Sequence, residues 1–249
     1  MSDDTPDGTQ TKEPRNGEKP PNGEKNGAGT LASSVYDRLR DDIMAGEILP
    51  GERLRAEFLR ERYTVGNSPV REALNRLSAD GLVVREDQKG FQVSKVSKKD
   101  LFELVKTRCW LEEVALRESI NNRTVEWEET LVLAFHHLSR IPQSSRRDGY
   151  ARNPEWESMH RHFHMSLIAN CGSGWLLGFC AQLNDQAGRY RQLATNESYP
   201  ETNEEDEHRT LFEASVEGQV ETAIALLHIH YKKTLEIILT PELAILEND

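Results

Sequence analysis

The sequence predicts a mainly α-helical fold in two parts: an N-terminal winged helix-turn-helix over residues 30–97 and an all-α antiparallel helical bundle over residues 98–245. Three observations carry this. Apolar residues first recur with helical spacing at Leu31, Val35, Leu39 and Ile43, after 29 residues without one aromatic or branched aliphatic side chain. Two short runs of strand character, LVVRED and GFQVSKV, flank Gln88, Lys89 and Gly90, which reads as a hairpin. Beyond Ser97 the pattern is helical throughout, with breaks at Pro142, Gly149 and residues 196–203.

Each element has its own local reasons. The first helix starts at Thr30 and closes at Gly46, and the Pro50-Gly51 turn then allows only a short extended piece before Leu54. A second helix is expected from Arg55 to Tyr63, with Ala56, Leu59 and Tyr63 inward, and a turn over Thr64 to Asn67 follows. For the third helix Ser68 is the expected cap, Pro69 the first helical residue, where its missing N–H is harmless, and Gly81 the stop. Its core face is Val70, Leu74 and Leu77, leaving Arg71, Asn75 and Arg76 in solvent. Three helices and a hairpin in this order make a winged helix-turn-helix. Six further helices are expected at Lys98 to Asn121, Thr124 to Ile141, Pro154 to Cys171, Ser173 to Ala194, Asn203 to Gly218 and Gln219 to Leu239. They are enough to close a bundle around a cavity.

Composition sets the bounds. A chain of 249 residues makes one or two domains with a real core. It holds no run of ~18 apolar residues, and its start, MSDDTPDGTQ, lacks the basic and apolar parts of a signal peptide, so a cytoplasmic protein with no membrane partner is expected. Cys109, Cys171 and Cys180 show no CxxC spacing and read as reduced, buried thiols. Residues 1–29, with NGEK twice and six acids against four bases, are expected to be a disordered tail and not a basic arm. The net charge of −11 argues against a nucleic-acid partner only if it is evenly spread. It is not: residues 30–97 hold 11 basic and 11 acidic side chains, while the remainder from residue 98 to residue 249 carries −9. A neutral head implies weak non-specific binding, with useful affinity resting on a few well-placed side chains and on two heads acting together.

A recognition helix enters the major groove by its N-terminal end, which places Asn67, Ser68 and Arg71 at the bases and Asn75 one turn on. Arg can bridge guanine O6 and N7, and Asn adenine N6 and N7. Lys89 beside Gly90 at the hairpin tip suits a phosphate or minor-groove contact, and Arg53, Arg55 and Arg62 suit phosphates. The bland alternative is a helix-turn-helix used only for protein contacts. The run from Leu59 to Ser97, and above all PVREAL at Pro69 to Leu74, resembles the GntR family of bacterial repressors, which implies double-stranded DNA as partner and Arg71 as a contact. Gly66 and Asn67 depart from the family's usual Ser or Thr and Arg, so its usual base contact does not carry over.

All eight histidines follow residue 135. His160 and His164 lie four apart and share a helix face; His208 opens a later helix and His230 lies in the last one. If these helices pack antiparallel the four imidazoles can converge as a metal site, although a buried histidine is more often an ordinary core residue. His136, His137, His162 and His228 show no such pattern and read as surface or packing residues. Residues 100–239 also resemble the C-terminal ligand-binding domain, called FCD, of the fatty-acid-regulator (FadR) branch of GntR proteins. The carrying motifs are RxxLE at Arg108 to Glu112, FHxxL at Phe163 to Leu167, Glu207-His208, and AxxEGxxxxA from Ala214 leading to His230. Six helices fit its shorter, VanR-like class. HxxxHxxLxxxCGSxWLL, His160 to Leu177, is closest to the subgroup with the repressor of glutarate and 2-hydroxyglutarate catabolism.

The resemblance implies a divalent metal on His164, His208 and His230, with His160 where the family usually has Asp. Four imidazoles favour zinc, nickel, iron or copper over magnesium or calcium. It also implies a homodimer on a palindromic operator, and a small carboxylate effector held by the metal and Arg108, with Arg189 and Arg191 as further candidates. The expected function is a metal-containing, ligand-responsive transcriptional regulator, a repressor by default, and not an enzyme. The alternatives are a metal-dependent hydrolase using the four histidines and a regulator whose metal is purely structural. No HExxH, GxSxG or P-loop pattern favours the first.

Overall fold

The computed structural model describes residues 30–146, 151–198 and 204–239. The expected tail, the break at Gly149 and residues 240–245 lie outside them.

Thr30 caps helix α1 (Leu31–Met44) through its side chain, which accepts from the Ser33 amide. The buried face starts at Ala32 and runs through Val35, Leu39 and Ile43; Leu31, expected inside, is 67% exposed because it precedes the first turn that meets α3. Strand β1 (Arg53–Leu54) leads to α2 (Ala56–Tyr63), with Leu59 and Tyr63 buried. Ala56 is exposed, since the first turn of so short a helix stands clear of the core.

Helix α3 spans Asn67–Ala79 and begins earlier than expected. Gly66 is its cap without a side-chain bond, so Ser68 and Pro69 fall inside the first turn. That is tolerable because the first four N–H groups of a helix lack internal acceptors, so Pro69 sacrifices nothing there. Gly81, in the left-handed conformation at φ +74°, ends the helix as expected. Strands β2 (Val83–Glu86) and β3 (Gly90–Val93) form the hairpin. The extended piece at Arg53–Leu54 pairs with Gln92 and Phe91, so the sheet has three antiparallel strands in the order β1-β3-β2.

The remaining helices are α4 (Lys98–Asn121), α5 (Val125–Leu138), α6 (Pro154–Ile168), α7 (Gly174–Ser198), α8 (Glu204–Val216) and α9 (Val220–Ile238). Helices α5 and α6 stop three residues before their expected ends, whereas α7 runs on to Ser198, into the stretch expected to be a break. Asn153 caps α6 through its side chain, and Pro154 sits at the N-terminus where its missing donor is harmless. Helix α4 packs on α7 and α9, α5 on α6, and α8 on α9. Two apolar clusters result: one joins α1, α2, α3 and the sheet, and one fills the bundle. Among the described residues no helix is long and apolar enough to cross a membrane.

The two parts meet where α1 lies against α7. Arg40 and Arg161 both pair with Asp185, at 2.8 and 2.6 Å, and Gln186 donates to the Asp80 carbonyl at 3.0 Å. The Arg40 pair ties α1 to the bundle, and the Gln186 bond ties the end of the recognition helix to it.

Candidate functional site: a DNA-reading face and a buried histidine cluster

The N-terminal half of α3 and the hairpin enclose an open concavity of about 780 Å³. Asn67, Arg71 and Asn75 from α3, Arg53 and Arg55 from β1 and the α2 cap, and Lys89 and Gly90 from the hairpin all line it. Ser68 is exposed in the first turn of α3 but is not among the lining residues. Val70, Ala73, Leu74 and Leu77 anchor the opposite face of the helix, which is why the polar residues project outward. Lys89 lies 3.4 Å from Glu86, an exposed pair of little energetic weight.

Arg85 from β2 and Gln88 from the hairpin turn also line the concavity. Arg62 was expected at a phosphate, but it pairs with Asp42 at 2.7 Å and Glu47 at 2.6 Å. One carboxylate from the last turns of α1 and one from the loop after it neutralise it. Arg76, expected in open solvent, stacks 4.1 Å from the Tyr36 ring centre and donates to Ser33, so it braces α3 against α1.

In the bundle, His160 and His164 from α6, His208 from α8 and His230 from α9 converge, all four buried. One donor atom from each lies within 4.8 Å of the others. The Nε2 atoms of His160 and His164 are 3.2 Å apart, close to the ~3.3 Å edge of a tetrahedron whose metal–nitrogen bonds are ~2.0–2.1 Å. Burial, and after it the neighbouring positive and imidazole groups, drives His160, His164 and His208 well below the ordinary histidine range. The rings are therefore neutral at physiological pH, the form that binds metal. His208 Nε2 is buried with no hydrogen-bond partner, an arrangement that an added cation or water would relieve. The donor set thus fits a transition-metal ion.

Outer groups hold the rings in place. His230 Nδ1 meets Glu207 at 2.8 Å, and Glu207 also takes Lys233 at 2.6 Å. Burial alone would raise the Glu207 carboxyl, but its bonds to His230 and Lys233 hold it below its ordinary value. A carboxylate on the far nitrogen is the usual means of orienting a metal-binding imidazole. Trp156 stacks on His160 with centroids 4.6 Å apart.

The three candidate arginines part company. Arg191 donates to His160 Nδ1 at 3.1 Å and pairs with Glu157. Arg108 is buried against Glu112 at 2.9 Å and donates to the Tyr231 hydroxyl at 2.9 Å, so its charge is already compensated. Arg189 does not reach the cluster. It donates to the Ser94 carbonyl at the junction with the head, and burial pulls its pKa down to about 10. Residues 189 and 191 stand about 200° apart on a helix of 3.6 residues per turn, so both cannot face the same cavity.

Residues 31–93 match the model of the bacterial regulatory proteins of the gntR family, and residues 103–233 match that of the FCD domain. The HTH-type transcriptional regulator BphR of Paraburkholderia xenovorans is 36% identical over 209 residues, covering 84% of this chain and 85% of that one. The chain belongs to the GntR family. This GntR regulator is also 31% identical over 207 residues to the HTH-type transcriptional repressor GlaR of Escherichia coli, covering 82% of this chain and 93% of GlaR. Among solved structures, Escherichia coli McbR/YncC superposes with a TM-score of 0.67 at 22% identity, covering 85% of this chain and 98% of that one. A putative GntR regulator from Rhodococcus sp. RHA1 gives 0.68 at 20% identity with the same coverage. At these identities the superpositions speak for the fold. The GntR regulator is thus a DNA-binding transcription regulator and not an enzyme, and its histidine cluster is one that could hold a metal ion, as FCD domains do.

Proposed function

We propose that this regulator is a homodimeric repressor whose FCD bundle holds a divalent transition-metal ion, zinc foremost, and that a small carboxylate metabolite bound beside the ion releases it from a palindromic operator. The observation that carries the reading is the cluster itself: four buried imidazoles from three helices, with donor atoms within 4.8 Å. His160, His164, His208 and His230 surround the ion's place. A bound ion would supply positive charge for an anionic ligand in a site that excludes water.

The side chains around it set the ligand's character. Arg191 touches the cluster directly, whereas Arg108 can serve a ligand carboxylate only by sharing its charge with Glu112. The likeness of residues 160–177 to the glutarate and 2-hydroxyglutarate subgroup supports a dicarboxylate or hydroxyacid. Arg71, Asn67 and Asn75 would read bases, Ser68 would lie at the same end of the helix, and Arg55, Lys89 and the Gly90 backbone would meet the phosphate backbone or minor groove. Exposed Phe102, Trp110 and Val114 on one side of α4 supply an apolar surface for a second copy. Coupling then needs only that the effector favour one arrangement of the heads over another, typically by ~1–3 kcal/mol.

The test is a thermal-shift screen of dicarboxylates and hydroxyacids on zinc-loaded and chelator-treated protein, with hits retested for release of an operator fragment. Metal-dependent stabilisation and DNA release support the reading; equal affinity after metal removal opposes it. The burial of all four imidazoles favours a second reading, a purely structural ion, which predicts stabilisation by metal but by no metabolite.

A further inference from the structure

We infer that His160 is not a fourth metal ligand: it is a hydrogen-bond donor facing the open position of a site made by His164, His208 and His230, and Arg191 fixes it in that role. The inference rests on the metal reading above and narrows it. The starting point is the 3.1 Å contact between an Arg191 terminal nitrogen and His160 Nδ1. A guanidinium carries only N–H donors, so Nδ1 must accept. A neutral imidazole that accepts at Nδ1 carries its proton at Nε2. That nitrogen lies 3.2 Å from His164 Nε2, so its N–H points into the cluster.

A metal binds a ring nitrogen through its lone pair, and His160 Nε2 has none to give in this tautomer. Moving the proton to Nδ1 would set it against the Arg191 N–H, donor facing donor in a dry site where an unmatched polar group is costly. Arg191 is not placed to withdraw. Its other terminal nitrogen bonds Glu157, which Gln192 also holds, and its guanidinium lies 5.4 Å from the Trp156 ring centre. Trp156 stacks on the face of His160 at an interplanar angle of 22°. The ring is held on its face and at its edge.

The other three rings meet no such obstacle. Glu207 accepts from His230 Nδ1, which leaves the Nε2 lone pair for the cluster. His208 Nε2 has no hydrogen-bond partner. His164 Nε2 accepts only from His160, and its Nδ1 is without a partner. When a cation takes the His164 lone pair, the His160 N–H is released toward whatever oxygen completes the shell. That donor selects a ligand offering an acceptor oxygen, such as a carboxylate, and gives His160 a part in specificity.

Zinc titrated calorimetrically into the metal-stripped full chain tests this, together with long-range proton–nitrogen NMR of the imidazoles. Removing an outer-shell partner commonly weakens metal binding about 10–100-fold, so His160→Ala should stay near ~10-fold, while His164→Ala, His208→Ala and His230→Ala should each exceed ~100-fold. Arg191→Met should tighten zinc binding, because the freed His160 ring can then change tautomer and join the ligands. The wild-type spectrum should show His160 protonated at Nε2 both before and after zinc, a readout that does not depend on any variant folding. A His160→Ala loss equal to that of His164→Ala, or a zinc-loaded His160 protonated at Nδ1, overturns the inference while leaving the metal reading intact. Wild-type protein that binds no zinc overturns both.

Discussion

Replacing Glu112 by Gln should strongly destabilise the bundle. Arg108 and Glu112 are 8% and 2% exposed, and the guanidinium Nε lies 2.9 Å from Oε1. Tyr231 closes the triangle, accepting from Arg108 at 2.9 Å and donating to Glu112. The amide keeps the shape of the side chain but removes the negative charge, leaving a buried cation without compensation. Breaking a buried pair in this way costs about 3–5 kcal/mol. At roughly 2–4 °C per kcal/mol for a chain of 150–250 residues, the melting temperature should fall by about 6–20 °C. The double variant Arg108→Met, Glu112→Gln removes both charges and should recover most of the loss, because well-packed neutral groups replace buried pairs at little penalty. Urea denaturation followed by circular dichroism, run on both single variants and the double, gives the coupling energy directly. A loss below ~1 kcal/mol for Glu112→Gln, or a double variant no better than the single, would refute the premise that Arg108 depends on this carboxylate.

Four other expectations concern DNA, metal and assembly. Arg71→Ala should weaken operator binding by ~1–3 kcal/mol per head, and Lys89→Ala should lower the salt dependence by about one unit of slope; fluorescence anisotropy across a salt series measures both. Arg62→Ala, by contrast, should leave operator affinity unchanged and cost at most ~1 kcal/mol of stability, since its partners are the partly exposed Asp42 and Glu47; a drop in DNA affinity would return Arg62 to the interface. Chelation should lower the melting temperature of the metal-loaded protein: an ion at 100 times its Kd contributes ~2.7 kcal/mol, or about 5–11 °C. His208→Ala should be indifferent to the chelator by the same assay. Trp110→Glu places a charge on a 59% exposed apolar face and should break the proposed dimer into monomers in sedimentation velocity; an unchanged mass would exclude that face of α4.

Much of the fold could be read from neighbouring residues alone. The apolar period of four in α1, the glycines after α1 and α3, and the Asn153-Pro154 start of α6 act over one or two turns, so the sequence carried their positions to within a few residues. The shared face of His160 and His164 follows from their spacing, and the division of charge between head and bundle needs no structure. Contacts between distant elements are another matter. That Arg53–Leu54 becomes a third strand, that Arg62 is claimed by two carboxylates, and that Arg189 turns to the head while Arg191 turns to His160 depend on which surfaces the helices bring together. The meeting of α6, α8 and α9 at four imidazoles belongs to the same class. Local propensity is a property of adjacent residues and is written in their order. The tautomer of His160, and with it the chemistry of the site, is decided by a guanidinium 31 positions along the chain, which only packing could place at its edge.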